Sequence, residues 1–125
     1  EVYASLVQLL KEFQTMNLPV IINGGSTFVS QFVAENPKLA RHLIYAVNQE
    51  SVFLAYVFNA NKLVQQTAEA EDFYLDYLNN LSQTGIQVFL IEYGADSYQA
   101  DKILKQSQEL DYSLYLAPSI LLDRE

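Results

Sequence analysis

Three short apolar runs, each ending in amides, a carboxylate or glycine, constrain this chain more than any other feature. Pro19-Val20-Ile21-Ile22 leads into Asn23-Gly24-Gly25, and Leu43-Ile44-Tyr45-Ala46-Val47 leads into Asn48-Gln49-Glu50-Ser51. Val88-Phe89-Leu90-Ile91 leads into Glu92-Tyr93-Gly94. Continuous apolar runs of this length, separated by helical periodicity, mark strands buried in a parallel sheet. In parallel α/β folds, ligands bind at the carboxyl ends of the strands. Asn23, Gln49, Glu50, Glu92 and Tyr93 are therefore expected to gather at one end of the sheet.

The spacing predicts helices over 2–16, 28–39, 69–83 and 97–109, and strands over 19–23, 43–48, 87–92 and 113–117. Val2, Leu6, Leu9, Leu10 and Phe13 recur at helical spacing in the first helix, which Asn17 and Pro19 stop. Ser26 is a candidate cap for the second helix, and Pro37 ends it. Tyr74, Tyr77, Leu78 and Leu81 give the third helix its apolar stripe, and Gly85 ends it. Ile103, Leu104 and Leu110 mark the fourth, with Asp96 or Ser97 as its cap. Strand centres lie about 24, 45 and 25 residues apart, as βαβ units require. The fold class is α/β, with four consecutive βα units. A helical pattern already under way at Glu1 reads as part of something longer than a 125-residue unit.

Composition narrows the function. A chain of 125 residues that is 50% hydrophobic and 18% charged builds one ordinary core, so 1–125 is read as one domain. No apolar run reaches the roughly 18 residues of a membrane span. Seven Lys and Arg against fifteen Asp and Glu give a net charge of -8, which argues against a nucleic-acid partner. The acidity is most simply read as solubility and also suits a cationic ligand. There is no cysteine, so disulfides, thiolate catalysis and cysteine-ligated metals are excluded. A single histidine, His42, makes a His-based metal cluster or a Ser-His-Asp triad improbable. His42 is expected on the surface, at the amino end of a strand. No metal or other cofactor is expected. Asn23-Gly24-Gly25-Ser26 lacks the spacing of a phosphate-binding loop, and its glycines fit a tight turn.

Two features carry chemistry. The first is glutamate at strand ends. Glutamate is depleted from strands and costly to bury alone, so Glu50 and Glu92 are candidates for acid, base or nucleophile. Helix-cap partners and salt bridges are the structural alternatives. Paired carboxylates at a strand-end mouth point to glycoside hydrolysis. The second is the long interval 49–68, read as a loop, which places Phe53, Tyr56, Phe58 and Asn59 near Glu50. Sugars stack on aromatic rings and hydrogen-bond to amides, so this segment suits a carbohydrate site. Packing over the mouth explains the same residues equally well.

The segments VIINGG, AVNQESVF, DFYLDYLNNLSQTGIQVFLIEYG and LDYSLYLAPSILLD, in this order, resemble the carboxyl-terminal half of glycoside hydrolase family 114, the endo-α-1,4-polygalactosaminidase-like enzymes. The resemblance runs along essentially the whole chain and closes on Asp123. It implies the last four strands of a (β/α)8 barrel. It also implies that Glu50 is one of two catalytic carboxylates, the other being an Asp at the end of the strand that precedes the first helix, upstream of Glu1. Asn23, Gln49, Tyr56, Glu92 and Tyr93 are then substrate-binding groups, with Asn23 alternatively a hydrogen-bond partner of Glu50 and Glu92 alternatively a support for it. The implied substrate is an amino-sugar polysaccharide, and the implied setting is extracellular or at the cell envelope.

Two other readings remain at this stage. One is a non-catalytic carbohydrate-binding or scaffold module that keeps the strand-end groove. The other is a small doubly wound α/β domain, although neither a phosphate loop nor a phosphoacceptor Asp follows an early strand. A half barrel has open edges and an uncovered face, so self-association through the first or last strand is expected.

Overall fold

The structure is a computed structural model describing residues 1–121. Asp123, which closes the motif series above, lies outside the described residues. Helix α1 (Val2–Thr15) leads to strand β1 (Ile21–Asn23), and helices α2 (Ser26–Glu35) and α3 (Pro37–Leu43) lead to strand β2 (Ala46–Glu50). Strands β3 (Leu54–Val57) and β4 (Lys62–Gln65) follow, joined by a 3-10 turn, Phe58–Ala60. Helix α4 (Ala68–Thr84), strand β5 (Gln87–Tyr93), helix α5 (Ser97–Glu109) and strand β6 (Ser113–Ala117) complete the chain.

The main sheet has the order β1-β2-β5-β6, and every pair is parallel. Strand order therefore follows chain order with no reversal. A doubly wound sheet starts at its centre and winds both ways, so it must contain a reversal. The arrangement is four successive units of a barrel wall, and the doubly wound alternative is set aside. Right-handed crossovers that all advance in one direction put their helices on one face. That face holds the core, in which Val47, Val88 and Leu90 pack with Val29, Phe32, Leu78, Leu81 and Ile103. The alternate residues point to the opposite face. Register aligns Asn23, Asn48, Phe89 and Ser113 in one row and Glu50, Ile91 and Tyr115 in the next. Among the described residues this second face has no covering layer: Ile21 is 51% exposed and Tyr115 is 56% exposed.

Local chemistry explains the boundaries. The helix expected over 28–39 is two helices. Pro37 cannot continue α2, and Asn36 caps α3 by accepting from the Leu39 N–H at 3.1 Å. Ser26 is the first residue of α2 and makes no cap; the preceding Gly25 holds that place in a left-handed conformation. Thr67 caps α4 by accepting from the Ala70 N–H at 3.2 Å, and Glu69 and Glu71 favour its first turn. Gly85 ends that helix with φ 93°, a conformation costly for any residue with a Cβ.

Four further expectations shift. Leu43 and Ile44 finish α3 instead of starting a strand, so β2 runs over Ala46–Glu50 and Glu50 is its last residue. His42 is exposed but lies in the last turn of α3, not at a strand start. The expected loop 49–68 contains an antiparallel hairpin, β3 with β4, in which Leu54 opposes Gln65 and Val57 opposes Lys62. Among the α1 residues expected to form a buried face, Leu10 is buried, whereas Val2, Leu6 and Leu9 are exposed.

Helix α5 sets the step from β5 to β6, and its start is fixed by a reciprocal capping box. The Gln99 N–H donates to Asp96 Oδ1 at 2.8 Å, and the Asp96 N–H donates to Gln99 Oε1 at 3.0 Å. Asp96→Ala removes this cap and should cost about 1 kcal/mol, read as a lower urea midpoint at unchanged slope.

Candidate active site

The carboxyl ends of the four parallel strands form one rim, and the polar strand-end residues meet there. Glu50 closes β2 and shares its face of the sheet with Asn48, two residues earlier. Asn23 closes β1 directly beside Asn48. The Asn48 Nδ2 donates to Asn23 Oδ1 at 2.8 Å, and the Asn23 Nδ2 donates to Glu50 Oε1 at 3.2 Å. This chain fixes the Asn23 amide with its donor toward the carboxylate. A carboxylate that receives a side-chain donor and faces an open mouth is held ready for proton transfer or nucleophilic attack.

Tyr93 closes β5 and reaches the same cleft. Burial raises its phenol pKa, and the neighbouring Glu50 carboxylate, which favours the neutral hydroxyl, raises it further. Tyr93 therefore stays protonated as a donor in the ordinary pH range. The cleft has a volume of about 470 Å³ and is lined by Glu50, Ser51, Tyr56, Phe58, Leu63 and Tyr93, among others. Tyr56 and Phe58 meet edge to face with ring centroids 4.8 Å apart, and the Tyr56 hydroxyl donates to Asn61. Their place beside Glu50 follows from the β3–β4 hairpin, which folds back over the rim.

Glu92 and Gln49 stand at the same strand ends but point to the other face. Glu92 is 0% exposed. Its Oε1 accepts from the N–H groups of Val52 and Phe53 at 2.7 and 2.9 Å, and its Oε2 accepts from Leu54 at 3.1 Å. Gln49 is buried, its Nε2 donates to the Glu50 carbonyl at 3.2 Å, and its Oε1 has no partner among the described residues. Strand alternation accounts for both: residues one apart on a strand face opposite ways. So the rim brings together Asn23, Glu50, Tyr56 and Tyr93, and leaves Glu92 and Gln49 behind the sheet. Asn48 was not anticipated as a site residue. Its signal was available, since it precedes Glu50 by two in an extended segment.

The described residues contain no cluster of three or more His, Cys, Asp or Glu placed to hold a metal ion. No described helix is long and apolar enough to cross a membrane.

No family model matches the chain, and no curated protein sequence matches it. Its backbone is similar to the solved structure of the glycoside hydrolase domain of PelA from Pseudomonas aeruginosa. The TM-score is 0.71 at 18% identity, covering 98% of this chain and 46% of that one. A glutamate-to-alanine variant of the same domain matches with TM-score 0.70 at 17% identity. The chain thus spans about half the length of these structures, 46% in each case. At such identity the likeness establishes the fold, which is glycoside hydrolase-like and corresponds to part of a barrel.

Burial is the largest influence on the Glu92 carboxyl and raises its pKa, with Glu71 adding to it, while the three N–H donors oppose the rise. The folded-state value lies above the unfolded one, so the native chain binds the extra proton in acid. The contribution is present below the ordinary value of 4.5 and is lost as pH rises through the raised value. Thermal unfolding across this window should show the wild type losing stability with rising pH relative to Glu92→Gln. Parallel curves would mean that the carboxyl titrates normally.

Proposed function

We propose that this chain is part of a glycoside hydrolase acting on an amino-sugar polysaccharide, with Glu50 as a catalytic acid/base or nucleophile. The observation that carries the proposal is the rim geometry: a strand-end carboxylate, oriented by Asn23 and Asn48, faces an aromatic-walled cleft on a glycoside hydrolase-like fold. Glycoside hydrolysis needs a group to protonate the leaving oxygen and another to stabilise or attack the anomeric carbon. Glu50 supplies one of the two. It is the one carboxylate among the described residues that the four strands place on the open face. On the hydrolase reading the second stands elsewhere on the same rim. In this reading Asn23 and Tyr93 hold hydroxyl or amino groups of the sugar, and Tyr56 stacks on a ring face. Gln49, expected as a substrate contact, supports the Glu50 backbone instead.

The acidic balance of the chain, -8, favours a substrate with protonated amines. A polysaccharide substrate suits a setting outside the cell or at its envelope. The test is Glu50→Gln in the full-length protein, assayed on partly deacetylated α-1,4-galactosaminan. Loss of an acid/base should lower kcat by roughly 10²–10⁴-fold with binding retained. Activity within a few-fold of wild type would make Glu50 structural. Binding of the polymer by a wild type that never hydrolyses it would favour a carbohydrate-binding module.

We also propose that the 125-residue chain self-associates. The outer edges of β1 and β6 have no strand partner among the described residues, and the open face exposes Ile21 and Tyr115. Burying about 1,000 Å² of apolar surface would contribute on the order of 25 kcal/mol before the costs of association and ordering. Light scattering at micromolar concentration should give a mass above the 14.2 kDa of one chain. A monodisperse 14.2 kDa particle that unfolds cooperatively would show that the open face is tolerated in water.

A further inference from the structure

We propose that Glu92 is a positioning residue for sugar binding, holding the β3–β4 hairpin so that Tyr56 and Phe58 stand as one wall of the Glu50 cleft. The nature of the bound ligand rests on the hydrolase reading above; the anchoring does not.

The anchor is built at the hairpin's root. Three consecutive backbone N–H groups, those of Val52, Phe53 and Leu54, curl around one carboxylate. All three residues are buried. The turn into this root is made at Ser51, which has φ 57° and whose N–H donates to the Ile91 carbonyl at 3.0 Å. The carbonyls at the root are held from the far end of the hairpin. The Gln66 N–H donates to the Phe53 carbonyl at 2.9 Å, and the Gln66 Nε2 donates to the Ser51 carbonyl at 2.9 Å. The residue after β5 meets the hairpin at a second point. Gly94 lies so close to Leu63 that an added Cβ would stand 2.5 Å from its Cδ1.

The tip contrasts with the root. Phe58 is 78% exposed, yet it lines the cleft and meets Tyr56 edge to face. A buried root that carries an exposed aromatic tip next to a candidate catalytic carboxylate is a binding element, because a free aromatic there gains little except by stacking on a ligand. The residue type at position 92 also fits. An ionised glutamate is acceptor-only, with two oxygens for three donors. The amide of glutamine keeps one acceptor oxygen and turns a donor toward the remaining N–H. Any role in substrate contact is closed to Glu92 by its burial.

The experiment compares wild type, Glu92→Gln and Phe58→Ala in the full-length protein on partly deacetylated α-1,4-galactosaminan. Phe58 is exposed, so its truncation leaves folding intact even where Glu92→Gln does not. Both variants should raise KM by about tenfold with kcat within a few-fold, the pattern of lost binding and not of lost chemistry. Amide exchange at Val52, Phe53 and Leu54 should accelerate in Glu92→Gln while exchange in β2 and β5 stays slow. Unchanged KM in Phe58→Ala, unchanged exchange at the root, or a fall in kcat alone would each overturn the proposal. Full activity in Glu50→Gln would sink the hydrolase reading separately. Calorimetric titration of the same polymer into wild type and Phe58→Ala would then decide the hairpin's role, equal affinities overturning it.

Discussion

One buried carboxylate organises the carboxyl-end rim of this sheet. Glu92 takes three backbone N–H groups that would otherwise be orphaned in an apolar layer, and an unpaired buried donor costs about 1–3 kcal/mol. By taking them it fixes where the chain goes after β2. That path decides where Ser51 turns, where the hairpin rises, and which aromatic rings stand over Glu50. The interaction joins β5 to a segment about 40 residues earlier. It converts the rim from two adjacent strand ends into a cleft with a wall.

The neighbouring residues show how much one step along a strand changes. Glu92 and Tyr93 are consecutive, yet one lies behind the sheet and the other in the cleft. Gln49 and Glu50 divide in the same way. Six residues give the candidate site two layers. Asn23, Asn48, Glu50 and Tyr93 face the open side, and Gln49 and Glu92 fix the backbone that carries them.

The parallel strands and the helices between them were legible because apolar runs and helical periodicity are strong local signals. So was the arrival of Asn23, Glu50 and Tyr93 at one rim, since it needs only that the strands be parallel. The hairpin was not legible. Its strands are four residues each, and Ala55, Asn59, Ala60 and Asn61 give no strand-like pattern. It depends on Gln66, Glu92 and Gly94, which are distant in sequence or unremarkable in type. The facing of Glu92 was lost for a smaller reason. Both strand runs, 43–47 and 88–91, are apolar at every position, so they show no alternation from which to read which way the polar strand ends face. Asn48 was missed on the same account. The division of the second helix at Asn36 was half visible, because Pro37 announced a stop without announcing a restart.

The strand order has a consequence for whatever lies opposite Glu50. Parallel strands in chain order form a wall with a direction: every carboxyl end points the same way. Any strand that extends this wall in parallel, whether beyond β6 or beyond β1, must end on the same rim. Closure by such strands turns that rim into a ring, with Glu50 on one arc. A group on any other arc is then held at a fixed distance from it. The separation of the two groups is then set by the girth of the closed wall and not by any flexible segment. On the proposed hydrolase reading, the stereochemical outcome, which follows from that separation, becomes a property of the backbone.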